Sequence, residues 1–459
     1  MSANNQGSIS RGFRQLLCLI RPIETSNINT DTNEGDEYPL PFLPAQRPRP
    51  LTPISSQQSP INLGRLARVP PELRWRILIA AFGGRTLHLD MQFAHPRRAD
   101  AFDLVAQDVN GAAHGFGVSP LSPWYFPARD APRAWRWTSC VCHRMLPVGS
   151  RFERRCLAKG RPVASYPHSD GCLYGEVTYC HLWPPETITT RAMIGAPGKC
   201  MVGVMGWLLA CRQAYVEGVN VLYSTNTFFI ESDILFSNLV CRESGLVSRH
   251  LILPERLTCI TSLELRLDLV LFGSSLRPDR GKTHDSNKDR AQLAANLRHL
   301  CDPFPNLRSL VLSFRDHLYN DREVRPVYAL DEINRVLLRP LAHAMTRLPL
   351  PARQKGIVVE LPSNVFEELK GVRRKGGAPG LGLEEEEKVC EIGNGGFMTQ
   401  SVWLRYPLSC GAAVSDPAAE CGHDRSDFYY IKKGPESDLF WDHNGTPQCR
   451  PYLTSGCSG

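Results

Sequence analysis

The stretch from Trp207 to Ile230, WLLACRQAYVEGVNVLYSTNTFFI, limits most tightly what this chain can fold into. Apolar side chains recur at Leu208, Cys211, Tyr215, Val219 and Leu222. Steps of three and four put them on one face of a helix. From Tyr223 the composition turns β-branched and aromatic. Ser224, Thr225 and Asn226 suit a turn or strand entry, and Phe228, Phe229 and Ile230 suit a buried strand. A helix therefore delivers the chain into the first strand of a core.

Two later segments share a pattern. Ile260 to Leu265 and Leu307 to Leu312 both read apolar-x-x-Leu-x-Leu, which suits a strand with one face buried. Asp289 to Leu300 lies between them as a helix with Leu293, Leu297 and Leu300 on one side. A helix over Asp331 to Leu348 follows, kinked or split at Pro340, and Ile357 to Leu361 makes another strand run. Strands alternating with helices predict an α/β (or α+β) fold with a partly parallel sheet. Two matching copies leave open a leucine-rich-repeat-like curved sheet or a generic α/β layer, since solenoids need three repeats or more. Strand signals at Phe397 to Tyr406 and Phe428 to Ile431 predict a C-terminal β-hairpin layer.

Upstream, Leu66 to Gly84 reads as a short helix. Pro71 is pre-set for a first turn, Glu72 suits the positive end of the dipole, and Gly83-Gly84 stop it. Leu73, Ile77, Leu78, Ala81 and Phe82 form its apolar face. The chain thus divides into a proline-rich, disordered tail (1–60), two helices (61–84 and 206–222) split by an irregular insertion (85–205), and an α/β platform (223–369). A charged, glycine-rich flexible linker (370–390) and a C-terminal β-hairpin segment (391–459) follow.

Pro70-Pro71-Glu72-Leu73 with Ile77-Leu78 resembles the opening helix of an F-box, and Cys211-Arg212 with Tyr215 resembles a later stretch of that unit. In an F-box these stretches lie close in sequence, whereas more than a hundred residues separate them here. The pairing is also similar to a fungal family, domain of unknown function 7730. The matching residues are Pro70 to Arg74, Cys211 to Glu217 and Leu222 to Phe228, and the resemblance extends over Leu63 to Asn444. That family implies no activity. The F-box resemblance implies a helical unit that docks a ubiquitin-ligase scaffold while the platform holds a target. The candidate partner-binding residues are Leu66, Leu73, Trp75 and Ile77.

The insertion carries Cys140, Cys142-His143, Cys156, Cys172, Cys180-His181 and Cys200. Thiolates and imidazoles are what zinc needs, yet the set contains a C-x-C-H and a later C-H rather than a C-x-x-C knuckle. Scattered buried thiols are the expectation, and no metal ligand or cofactor is assigned. Gly281-Lys282-Thr283 fails as a phosphate loop, because Leu276 stands where its first glycine belongs.

A net charge of +7 over 459 residues, without an interleaved aromatic stripe, gives no nucleic-acid signature. The apolar run Leu16 to Ile20 is too short to span a membrane. With 16 cysteines and no secretory signal, an intracellular site, cytoplasmic or nuclear, is expected. No nucleophile–base pair has a mechanistic spacing, so the chain reads as a non-enzymatic protein-interaction module whose partners are other proteins. A structural zinc-binding domain and an enzyme of unrecognised class are the alternatives.

Overall fold

The computed structural model describes residues 39–43, 63–96, 98, 127–142, 144, 170, 202–240, 250–269, 286–316, 333–348, 356–361, 363–374, 386–392, 398–408, 428–434, 440–441 and 447–448. Its helices are α1 (Pro71–Phe82), α2 (Met205–Leu208), α3 (Arg212–Thr225), α4 (Asp233–Val240), α5 (Pro254–Leu257), α6 (Ser286–Arg298), α7 (Arg339–Met345) and α8 (Ser363–Arg374). Its strands are β1 (Thr86–Ala94), β2 (Ala134–Val141), β3 (Thr227–Ile230), β4 (Ser262–Leu269), β5 (Ser309–Asp316), β6 (Ile357–Leu361), β7 (Glu386–Ile392), β8 (Met398–Pro407) and β9 (Phe428–Lys433), with a separate short pair β10 (Phe440–Trp441) and β11 (Pro447–Gln448).

Nine strands form one sheet in the order β2-β1-β3-β4-β5-β6-β9-β8-β7. The run from β1 to β9 is parallel throughout, and β2, β8 and β7 pair antiparallel at the two edges. The parallel strands advance in one direction with no reversal. Right-handed crossovers stepping one way must lay their helices on one face. The packing agrees: α4, α6, α7 and α8 share one apolar core with the same sheet face.

Alternation along each strand builds that core. Leu263, Leu265 and Leu267 of β4, Leu310, Leu312 and Phe314 of β5, and Ile357, Val359 and Leu361 of β6 all point into it. The two apolar-x-x-Leu-x-Leu segments stand side by side in register, Leu263 opposite Leu310 and Leu265 opposite Leu312. Ile357 and Val359 continue the same rows.

Several boundaries differ from the sequence reading. The insertion contributes β1 and β2 to the main sheet, so the platform does not begin at residue 223. The C-terminal strands extend this sheet through the β6–β9 pairing instead of forming a separate layer. His88 to Phe93 and the C-terminal runs carry strand signals, but parallel pairing between strands far apart in sequence leaves no local signal of the partner. The Trp207 stretch holds two helices rather than one. Cys211, in extended conformation, caps α3 with its Sγ accepting from the Ala214 N–H at 3.4 Å. The face of α3 also turns: Ala214, Gly218, Val219 and Val221 are buried, while Tyr215 and Leu222 are half-buried. Near Pro340 the helix opens into a π-helical turn over Asn334–Leu338 before α7. Proline's missing N–H at that point favours such an adjustment. The linker is shorter than 370–390, since α8 runs to Arg374 and β7 starts at Glu386.

Candidate functional site

Two regions stand out: a small helical unit at one end of the sheet, and a charged cluster on the sheet face away from the core helices.

In the helical unit, α1 and α2 both pack on α3. Leu78, Phe82, Val204 and Val221 form its buried centre, with Trp75, Ile79, Trp207, Leu208 and Leu222 around them. Leu222 also reaches the main core, so the unit is anchored to the sheet. The polar residues of the motifs are its staples. Arg74 holds Glu217 with two hydrogen bonds, 3.2 Å from Nε and 2.8 Å from a terminal nitrogen, and Gln213 donates to the same carboxylate. Asn226 is fully buried. Its Nδ2 donates to the Phe82 carbonyl at 3.0 Å and the Leu222 carbonyl at 2.9 Å, while Oδ1 accepts from the Arg85 N–H at 2.9 Å. One amide thereby satisfies carbonyls at the C-terminal ends of both α1 and α3. Gly84, at φ 64°, turns the chain between α1 and β1 in the left-handed region.

The four candidate partner-binding residues divide. Leu73 and Ile77, one turn apart on α1, are 48% and 50% exposed. Leu66 is half-buried in a 3-10 turn, and Trp75 packs into the unit's centre. Eight large apolar side chains are exposed among the described residues, and five belong to this unit: Leu73, Ile77, Met205, Leu209 and Val216.

The charged cluster sits on the other sheet face. His88 on β1 pairs with Phe229 on β3, which pairs with Glu264 on β4, so the three share a row. Cys142 follows β2, its N–H bonded to the Thr86 carbonyl. Arg144 and Asp170, both from the segment between β2 and α2, lie against this row. Cys142 Sγ donates to Asp170 Oδ2 at 2.9 Å, and His88 Nε2 lies 3.3 Å from the same oxygen. Arg144 reaches Asp170 Oδ2 at 3.1 Å and both oxygens of Glu264 at 2.7 and 2.6 Å. All of these residues are buried or nearly so.

Burial works against the charged form of His88, but the Asp170 charge and the ring's side-chain contacts with Asp170 and Cys142 push its pKa up to about 10. Burial would raise Asp170, yet His88 and Arg144 hold it well below the usual carboxylate range. Burial raises Glu264 against the pull of Arg144. Thiol, imidazole and carboxylate are the groups of a nucleophilic triad, but Asp170 Oδ2 occupies the middle here, whereas a triad needs the imidazole between the other two. The thiol itself is buried, 8% exposed. The arrangement is suited to holding charge or a cation.

Of the cysteines and histidines singled out in the insertion, Cys140 and Cys142 are buried here. His143, Cys156, Cys172, Cys180, His181 and Cys200 lie outside the described residues, as does 281–283. His88, Arg144, Asp170 and Glu264 escaped the sequence reading. Three of them sit far from Cys142 in sequence, and the only available signal was the polar alternation of His88 and Asp90 in an apolar strand.

Residues 194–363 match the model of a protein family, Domain of unknown function (DUF7730). The matched span runs through α2, α3 and the strands β3 to β6, and is shorter than the expected Leu63 to Asn444. It leaves α1, β1, β2 and the C-terminal strands outside. No curated protein and no solved structure matches the chain. No helix among the described residues is long and apolar enough to cross a membrane.

Proposed function

We propose that this chain is a non-enzymatic protein-interaction module, an F-box-like substrate adaptor whose helical unit docks a ubiquitin-ligase scaffold. The exposed apolar side chains of that unit carry the reading. Leu73 and Ile77 project from α1 at i and i+4, the spacing with which a helix presents anchors to an apolar groove. Met205 and Leu209 repeat that spacing at α2. Five of the eight exposed large apolar side chains among the described residues, gathered on one small unit, mark an interaction surface. The α1–α3 contact also supports the reading, because the two stretches resembling an F-box meet across the insertion. The sheet, with its leucine rows in register, serves as a leucine-rich-like platform for the target.

The test uses the purified full chain and a ubiquitin-ligase scaffold protein in a pull-down. Ile77→Glu and Leu73→Glu are each expected to abolish capture and to leave the melting temperature nearly unchanged, because both positions are half in water. Failure of the wild-type chain to bind, or binding indifferent to both substitutions, would overturn the adaptor reading.

A further inference from the structure

We propose that His88, Cys142 and Asp170 form a zinc site that holds Asp170 against the β1–β2 edge of the sheet. The donor atoms of these three side chains all lie within 4.8 Å of one another. Tetrahedral zinc with sulfur at about 2.3 Å and nitrogen or oxygen at about 2.0–2.1 Å spaces its ligand atoms roughly 3.3–3.6 Å apart. The separation of His88 Nε2 from Asp170 Oδ2, 3.3 Å, matches that spacing, while Cys142 Sγ, 2.9 Å from the same oxygen, must move apart from it to admit an ion.

The donor chemistry selects the metal. One thiolate, one imidazole and one carboxylate make a mixed set of the borderline kind that zinc accepts. A hard cation such as magnesium or calcium would want oxygen alone. Cys140, the register partner of His88, faces the same side of the sheet and packs with Phe229, beside the three-donor group.

The surroundings fit a ligand set. Arg144 bonds the Asp170 carboxylate and is itself held by Glu264, the kind of outer partner that orients a ligating carboxylate. Zinc would take Cys142 as the thiolate and His88 as the neutral imidazole. The benefit to the fold is a cross-link between residues far apart in sequence: His88 on a strand, and Asp170 28 residues beyond Cys142.

The experiment measures metal in the full chain purified from zinc-supplemented culture, and uptake of cobalt(II) by the same chain after chelation. One zinc per chain is expected, together with a thiolate-to-cobalt charge-transfer band. Cys142→Ser should lose both, while Cys259→Ser, a thiol on α5's exit away from the cluster, should keep both. If Cys142→Ser fails to fold, His88→Cys decides the matter. A zinc site accepts a second thiolate, so this variant should retain the metal and show a stronger charge-transfer band. Zinc content far below one per chain in the wild type would overturn the proposal. Metal retained in full by a folded Cys142→Ser, or cobalt uptake with no thiolate band, would overturn it too. None of these outcomes bears on the scaffold pull-down, so the two proposals stand or fall separately.

Discussion

Arg74 and Glu217, 143 residues apart in sequence, face each other across the α1–α3 contact in a two-pronged salt bridge, the shorter arm 2.8 Å. Arg74 also donates to the Val69 carbonyl, which ties the 3-10 turn to the same point. The pair therefore fixes how the two helices of a split unit meet. A double-mutant cycle of Arg74→Ala and Glu217→Ala is expected to give a small favourable coupling, smaller than that of a fully buried pair. The hydrogen bond from Arg74 holds the Glu217 pKa below its ordinary value. A depressed carboxylate stabilises the fold above its unfolded pKa, and that contribution fades as pH falls through the folded one. Urea titrations at neutral and acid pH should show the coupling shrinking on the acid side and absent in Glu217→Gln.

Asn226 closes the ends of two helices with one side chain. Asn226→Ala would strip the Phe82 and Leu222 carbonyls and the Arg85 N–H of their partner in a buried place. A loss of about 2–3 kcal/mol is expected. Asn226→Asp keeps the acceptor but removes both donors and buries a charge, so it should be no better. Chemical denaturation of the two variants measures this, and stability within error of wild type would refute the capping role.

Gly218 permits α2 to lie on α3. A Cβ there would stand 2.5 Å from Trp207 Cδ1 and 2.9 Å from Leu208 Cδ2. Alanine normally favours a helix interior over glycine by about 1 kcal/mol. Here overpacking should reverse the sign and cost roughly 1–3 kcal/mol. The Trp207 environment should change too, visible as a shift in tryptophan emission.

Lys432 and Glu360 are register partners on β9 and β6, with Nζ 2.6 Å from Oε1 and both side chains buried. Lys432→Met removes the countercharge of Glu360 and should cost about 3–5 kcal/mol. The double variant Lys432→Met/Glu360→Leu should recover most of that loss, since an apolar pair of similar volume replaces a buried ion pair at little cost. A double variant as unstable as the single one would show that other members of this charged face depend on the pair.

The fold class was readable because its signals are local. The period of three and four in α1 and α6, and the period of two in β4 to β6, follow from which side chains must leave water. They fixed the apolar residues that now form the core rows. Glycines at the end of α1 and the two leucine patterns were likewise matters of neighbouring residues. Even the motif residues Arg74, Gln213, Glu217 and Asn226 were visible, although their role as staples was not.

Only the tertiary structure decided which distant segments meet. Parallel pairing of β1 with β3 and of β6 with β9 depends on crossovers tens of residues long, and no local pattern encodes the partner. The exposure of Leu73 and Ile77 beside the buried Leu78 and Phe82 depends on where α3 lies against α1, since all four read as one apolar face. The cluster of His88, Cys142, Asp170, Arg144 and Glu264 is the extreme case. Each residue alone is an ordinary polar side chain, and only burial on a shared sheet face makes their charges interdependent.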